Sequence, residues 1–302
     1  MIFEDTYIRS RGEKICLSIF YNNEEMKNKK KSKPCIIFLP GTMANPFTYW
    51  DFIEEMVKYD VVVIGINFVG HGKSSREKFD YTMSDLKANV IDTYNFVKDN
   101  LEDYGTEIVL FGHSQGGILA STIIGEGLDI SKYILGNVIV SNQKGLKEIV
   151  GLNNMPNILM PVIKFFIKIY GKIFKTKQIG FYDYVKIEEP QENEEYADDP
   201  LRIDKYPMCM VTSLITLNTN NLTKYNDKDE VVAIFAKDDP IFPLALEKEA
   251  FDLINVKKKK MIIVDSDKHM IYTEHPKKTA KIIYDNTIGE YKRSVEKYDK
   301  KW

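Results

Sequence analysis

The strongest constraint on this chain is the segment LFGHSQGGILA at residues 110–120, in which a serine lies between two glycines. Its centre, GHSQG at residues 112–116, has the form G-x-S-x-G around Ser114. The preceding EIVLF predicts a buried strand, and the following QGGILASTII predicts a helix. In that setting the pattern is typical of a tight strand–turn–helix that presents the serine hydroxyl. The small residues two positions before and after the serine prevent clashes in the turn.

Apolar and helical segments alternate around this motif. Buried strands are predicted at PCIIFLPG, VVVIGI, EIVLFG and GNVIVSN, and the pattern resumes near the C-terminus with EVVAIFA and KMIIVD. Continuous apolar strands that alternate with helices indicate a parallel sheet covered on both faces. TYIRS and KICLSIFY predict an opening hairpin. The expected fold is therefore α/β, with a mostly parallel eight-stranded sheet and helices on both faces.

Two helical segments allow finer predictions. PFTYWDFIEEMVKYD has helical spacing that should place Trp50, Ile53 and Val57 on one face. SDLKANVIDTYNFVKDNLEDYG should form one helix that is capped by Ser84 and stopped by Gly105.

The alternation of strands and helices stops between about residues 143 and 226. This interval holds the apolar MPNILMPVIKFFIKIYGKIFK, the acidic IEEPQENEEYADDPL and the helical YPMCMVTSLITL. We therefore expect a helical cap at residues 143–226, inserted between two parts of the core at 1–142 and 227–302.

The first cap segment permits two interpretations. Its lysines recur every four residues and so lie on one helical face, and three charges through its middle argue against a membrane-spanning helix. The segment either roofs the site with its lysines toward water, or it also rests on a lipid surface as a peripheral contact. In the second case the inserted side chains would be Phe165, Phe166 and Ile169.

The composition narrows the chemistry further. A net charge of −2 gives no electrostatic reason to expect nucleic acid. Three distant cysteines, with no CxxC motif or Cys/His cluster, suggest neither disulfides nor a metal site, and they suit a reducing compartment. The N-terminal MIFEDTYIRSRGEK lacks the apolar core of a signal peptide, so we expect a cytoplasmic protein. The sequence makes no prediction of oligomeric state.

A nucleophilic serine needs a base and a group that orients the base. Of the four histidines, His113 adjoins Ser114 in the sharp turn and should point away from its hydroxyl. His71, in GHGKSS, is expected to be structural, and His275 lies at a helix start. His269 follows the last strand at the carboxyl edge of the sheet, and elimination makes it the predicted base.

The orienting acid should follow another strand at the same edge. In EVVAIFAKDDPIFP both Asp238 and Asp239 qualify, and we predict Asp239 because it directly precedes the PIFP turn. The chain order is then Ser, Asp, His. The predicted oxyanion donors are the backbone N–H groups of Gln115 and of Thr42, in FLPGTMANP. Gly41 would let that loop approach the substrate closely.

Together these residues resemble the α/β-hydrolase superfamily over nearly the whole chain. The likeness is greatest to the monoacylglycerol lipase and lysophospholipase group, which is often grouped with serine aminopeptidases. FLPGTMANPFTYW is similar to that group's oxyanion loop, with Pro40 where a histidine is usual. NFVGHGKSS matches its G-H-G-x-S loop, and YADDPL resembles its Tyr-x-x-Asp-Pro-Leu cap segment. KHMIYTEHP matches the His-x-x-x-x-Glu-x-Pro pattern around its catalytic histidine.

The resemblance implies a serine hydrolase that cleaves carboxylic esters of acylglycerol or lysophospholipid type, without a metal or other cofactor. The alternative is a serine peptidase of the proline iminopeptidase type. That activity would need carboxylates in the cap to hold a substrate ammonium, and the acidic run at residues 188–195 could supply them. A non-catalytic binding protein is a third interpretation.

Overall fold

A computed structural model of the chain describes residues 1–22, 34–75, 79–141, 159–180, 201 and 203–288. The strands are Ile2–Ser10 (β1), Glu13–Tyr21 (β2), Cys35–Leu39 (β3), Val62–Asn67 (β4), Ile108–His113 (β5), Lys132–Gly136 (β6), Gln178–Gly180 (β7), Lys205–Pro207 (β8), Asn226–Ala236 (β9) and Val256–Val264 (β10). The α-helices are Trp50–Val57 (α1), Met83–Asp99 (α2), Leu101–Tyr104 (α3), Gln115–Ser121 (α4), Met160–Ile173 (α5), Met208–Ile215 (α6), Leu244–Leu253 (α7), Ile271–Glu274 (α8) and Pro276–Ile283 (α9).

One large sheet organises the core. It has 8 strands in the order β1-β2-β4-β3-β5-β6-β9-β10, and β7 pairs with β8 in a separate two-stranded sheet. The β1–β2 hairpin and the β2–β4 pair are antiparallel, and every other pairing in the large sheet is parallel. The predicted mostly parallel eight-stranded sheet and its opening hairpin are therefore confirmed.

The core lies on both sides of this sheet. All residues of β3 and β5 are buried, as the continuous apolar runs predicted. Apolar side chains of α2, α4 and α7 cover one face of the sheet, and those of α1, α8 and α9 cover the other. The carboxyl ends of the parallel strands meet at one edge, where the sequence placed the candidate site.

The fourth parallel strand was predicted at the wrong position. The strand is Lys132–Gly136, whereas GNVIVSN begins at Gly136, where the strand ends. Asn137 has a φ of 109°, which takes the backbone out of the extended region, and asparagine tolerates such angles better than most residues. The residues on both sides of this turn are apolar, so the sequence pattern did not mark where the strand ends. The predicted strand therefore lay too far toward the C-terminus.

Two predictions about helices were also wrong in detail. The helix expected to be capped by Ser84 is capped by Thr82, because the Asp85 carboxylate accepts hydrogen bonds from both the Thr82 N–H and its hydroxyl. It also breaks at Asn100 into α2 and α3. On α1, Ile53 and Val57 are buried, whereas Trp50 is 37% exposed and its ring stacks on Phe47.

The described part of the inserted segment packs on the core through α6, where Met208, Cys209 and Met210 are buried. The helix α5 lies on α6 at Gly171, where an added Cβ would come within 2.0 Å of Thr212 Oγ1. Residues 143–158, 181–200 and 202 of the predicted cap, with most of YADDPL, lie outside the described residues. Within the described ranges, no helix has the length and apolarity needed to cross a bilayer.

Candidate active site

Ser114 occupies a strained turn between β5 and α4. Its φ of 52° and ψ of −122° lie in a region that residues with side chains rarely adopt, at a cost of about 1–3 kcal/mol. The flanking glycines make the turn sterically possible: a Cβ on Gly112 would lie 2.1 Å from Gly116 O. A Cβ on Gly116 would lie 2.1 Å from Leu39 O. This packing is the physical reason for the small residues in G-x-S-x-G.

The structure brings Ser114, His269 and Asp239 together at the carboxyl edge of the sheet. Ser114 Oγ lies 2.9 Å from His269 Nε2, and His269 Nδ1 lies 2.8 Å from Asp239 Oδ2. The three residues come from the ends of β5, β10 and β9, in loops separated by up to 155 positions. A hydroxyl, an imidazole and a carboxylate in this order can activate the hydroxyl as a nucleophile.

Asp239 is buried, whereas its neighbour Asp238 is exposed to solvent. The second oxygen of Asp239 accepts hydrogen bonds from the N–H groups of Ile241 and Phe242, at 2.8 and 2.9 Å. Burial alone would raise the pKa of Asp239, but the hydrogen bond and charge of His269, together with those two amides, hold it below its usual value. The carboxylate therefore stays ionised and faces the imidazole.

The other three histidines make different contacts. His113 lies away from the Ser114 hydroxyl, as predicted, with Nδ1 2.9 Å from Tyr49 Oη and Nε2 3.1 Å from the carbonyl oxygen of His269. His71 is buried and contacts the carbonyl of Val69. His275 is exposed and forms the N-cap of α9.

The loop after β3 lies against the nucleophile. A Cβ on Gly41 would be only 3.3 Å from Ser114 Cβ, so the glycine permits this approach. The backbone N–H groups of Thr42 and Gln115 form no hydrogen bond with any residue that the structure describes. Gln115 begins α4, where the first N–H groups have no intrahelical acceptor. Both amides are thus available to a ligand beside Ser114.

A buried polar pair behind Ser114 was not predicted. Asn137 Oδ1 accepts from the Ser114 N–H at 3.2 Å, and its Nδ2 donates to Glu247 Oε1 at 3.1 Å. Burial raises the pKa of Glu247 well above its usual range, which favours the neutral acid in the fold. No local pattern marks either residue, because Glu247 lies within an ordinary amphipathic helix 110 positions from Asn137.

The described residues contain no group of three or more His, Cys, Asp or Glu side chains that could hold a metal ion.

The sequence matches one family description, "Serine aminopeptidase, S33", over residues 30–276. This match covers most of the chain, including every predicted site residue. No curated protein matches the sequence.

Several solved structures are similar over nearly the whole chain. An esterase (EaEST) from Exiguobacterium antarcticum has a TM-score of 0.64 at 17% identity, covering 93% of this chain and 98% of its own. A monoglyceride lipase from Saccharomyces cerevisiae has a TM-score of 0.67 at 13% identity, covering 92% of both chains. Est1E from Butyrivibrio proteoclasticus, with ferulic acid bound, has a TM-score of 0.60 at 19% identity, covering 93% and 96%. At these low sequence identities, the similarity shows a shared fold.

Proposed function

Because this chain belongs to the serine aminopeptidase family S33 and has the α/β-hydrolase fold, we propose that it is a serine hydrolase that cleaves carboxylic esters. The observation that carries the proposal is the run of hydrogen-bond distances from Ser114 Oγ through His269 to Asp239. The strained backbone of Ser114 and the close approach of Gly41 support the same chemistry.

In the proposed mechanism, Ser114 Oγ attacks the ester carbonyl carbon while His269 Nε2 takes the hydroxyl proton. Asp239 holds the imidazole in the correct tautomer and stabilises the imidazolium that forms. The N–H groups of Thr42 and Gln115 donate to the tetrahedral oxyanion. His269 then returns the proton to the departing alcohol. The acyl-enzyme that remains is hydrolysed by a water that His269 activates in the same way.

We propose that the acyl part of the substrate is an apolar chain of moderate length, as in an acylglycerol or a lysophospholipid. The inserted segment is rich in large apolar side chains on α5 and α6, and each buried CH₂ contributes about 0.8 kcal/mol to binding. The names of the yeast monoglyceride lipase and the Exiguobacterium esterase agree with this class of chemistry.

A series of p-nitrophenyl esters from acetate to octanoate tests this substrate class. We expect kcat/KM to rise with acyl length, because each added methylene gains apolar contact, and to level off where the acyl site ends. If acetate were the best ester and longer chains were progressively slower, the acyl-chain site would be wrong.

The family's name favours a second candidate, a serine peptidase of the proline iminopeptidase type. The acidic run that could hold a substrate ammonium, residues 188–195, lies outside the described residues. Aminoacyl-naphthylamides assayed beside the esters separate the two activities. A peptidase would prefer the aminoacyl substrates and show no rise with acyl length. A chain without either activity would instead be the non-catalytic binding protein.

We also propose a peripheral contact with a lipid surface through α5, in a cytoplasmic protein. Phe165 and Phe166 are 59% and 62% exposed, and Ile173 is 67% exposed, so one side of this helix presents large apolar groups to solvent. The lysines at 164, 168 and 172 lie along one edge of that side, where they could meet anionic headgroups. An apolar face with a basic edge suits binding at a membrane surface.

A further inference from the structure

The loop that follows β3 is held by hydrogen bonds at two of three consecutive amides. The N–H of Gly41 donates to Tyr49 Oη at 3.1 Å, and the N–H of Met43 donates to Tyr206 Oη at 2.8 Å. The N–H of Thr42 lies between them and donates to no residue that the structure describes. Two tyrosine hydroxyls therefore occupy the flanking donors and leave the central one for a ligand.

The backbone of this loop would not hold its shape unaided. Met43 has a φ of 59°, a left-handed conformation that is unfavourable for a residue with a side chain. Such a conformation persists only where surrounding contacts impose it. The hydrogen bond from the Met43 N–H to the buried Tyr206 is a contact of that kind.

Tyr49 links the loop to the loop that carries His269. His113 is buried, and burial lowers its pKa to about 3, so the ring is neutral and carries one N–H. Its Nε2–H donates to the carbonyl of His269, and its Nδ1 accepts from the Tyr49 hydroxyl. The Tyr49 oxygen can then accept from the Gly41 N–H. Each hydrogen bond from Gly41 through Tyr49 and His113 to the His269 carbonyl therefore has one donor and one acceptor.

Tyr206 links the loop to the start of α4. Its hydroxyl lies 3.2 Å from Gln115 Oε1 and 3.0 Å from His71 Nε2. Gln115 supplies the other proposed oxyanion donor through its backbone N–H. Tyr206 lies in β8, within the segment at residues 143–226 that interrupts the core. The Tyr206 hydroxyl thus contacts both the loop that carries Thr42 and the side chain of Gln115.

We propose that Tyr49 and Tyr206 are positioning residues that clamp the loop and hold the Thr42 N–H toward Ser114. This inference rests on the proposed function, since it assigns Thr42 to the oxyanion. Its consequence is that the inserted segment does more than cover the site. Through Tyr206 it sets the geometry in which the transition state is stabilised.

Y206F and Y49F test the clamp, since each keeps the aromatic ring and removes the hydroxyl. The matched control is Y133F, because the Tyr133 hydroxyl is buried and has no hydrogen-bond partner among the described residues. Removal of an oxyanion donor costs about 10²–10³-fold in kcat, so a misplaced donor should cost about 10-fold. We expect each clamp variant to stay folded at the assay temperature and to lose that much kcat at unchanged KM, and Y133F to keep full kcat.

A trifluoromethyl ketone that mimics the tetrahedral adduct separates positioning from general packing. Its affinity should fall with kcat in Y206F and Y49F, whereas the affinity of a non-reactive substrate analogue should not change. Because both hydroxyls hold one loop, the double variant Y49F/Y206F should lose less than the product of the single losses. If Y206F lowers Tm sharply, Y49F alone decides the result.

Two kinds of outcome overturn the clamp, and they can be told apart. Full kcat in the folded single variants, or equal losses for the adduct mimic and the substrate analogue, would contradict the clamp while leaving the ester hydrolase intact. If the wild-type protein hydrolysed no ester and Ser114 reacted with no fluorophosphonate, the proposed function would fail, and the clamp would fail with it.

Discussion

The helix that follows Ser114 and the helix of the inserted segment differ in burial although both are rich in apolar residues. Each of the seven residues of α4, Gln115–Ser121, is buried. In α5, Met160–Ile173, the one buried residue is Gly171. At Gly117 of α4 an added Cβ would meet the backbone of Asn137 at 2.5 Å, so this helix is in direct contact with the sheet. At Gly171, α5 packs closely against Thr212 of α6.

This difference in burial suits the two helices to different roles. Around α4, close packing holds the strained backbone of Ser114 and the contacts that orient its hydroxyl. The groups there can react only in that geometry. The exposed side of α5 is free of such constraints and can contact something outside the protein. Substitutions of the side chains that contact one another from Ser114 to Asp239 should therefore change turnover, and substitutions on the exposed side of α5 should change binding to surfaces.

The largest effect is expected from S114A. Without the nucleophile, kcat should fall by about 10⁶-fold, and a fluorophosphonate probe should no longer label the protein. S121A is the matched control, since Ser121 is a buried serine on the same helix whose hydroxyl donates to the Ile118 carbonyl. It should keep both activity and labelling. Labelling that persisted unchanged in S114A would show that another residue is the nucleophile.

The next effect separates the two neighbouring aspartates. D239N removes the carboxylate that contacts His269 Nδ1, so the imidazole takes the wrong tautomer and kcat should fall by about 10⁴-fold. D238N changes an exposed side chain and should lose little. Steady-state kinetics of both variants decide the assignment, and a larger loss in D238N would reverse it.

A smaller effect is expected on the exposed side of α5. The double variant F165E/F166E should weaken sedimentation with anionic phosphatidylglycerol vesicles by about 10- to 100-fold, since each phenyl ring buries apolar area worth about 1.5–3 kcal/mol when fully covered. Hydrolysis of soluble p-nitrophenyl butyrate should not change. Y225E, at an aromatic side chain that is 68% exposed beside β9, is the control. Equal vesicle binding by all three proteins would rule out α5 as the contact.

The smallest effect concerns the buried carboxyl group of Glu247 behind Ser114. Burial raises the pKa of Glu247 in the folded protein, so its contribution to stability is present below the unfolded pKa and is lost as pH rises. In E247Q the side-chain amide oxygen can accept from Asn137 in the same way, but the amide cannot ionise. E247Q should therefore raise Tm at pH 7 by about 2–4 °C, the shift expected for about 1 kcal/mol, and leave Tm unchanged at pH 4. A lower Tm for E247Q at pH 7 would show that the carboxylate is ionised in the fold.

The sequence alone predicted the features that depend on neighbours along the chain. Continuous apolar runs predicted the inner strands, and their alternation with helices predicted the parallel sheet. The spacing of small residues around Ser114 predicted a strained turn, because larger side chains at those positions would clash in such a turn. His269 could be selected because few histidines exist and the ends of parallel strands meet at one edge.

Other features depend on contacts between segments that are far apart along the chain. Asp238 and Asp239 are adjacent in sequence, and only the packing of the loop after β9 buries one and exposes the other. Tyr49 and Tyr206 belong to distant segments and still hold two amides of one loop, which no local pattern records. Periodicity reports which side of an element is apolar, because that is a property of the element itself. Whether that side is covered, as in α4, or open, as in α5, is decided by what the rest of the chain brings against it.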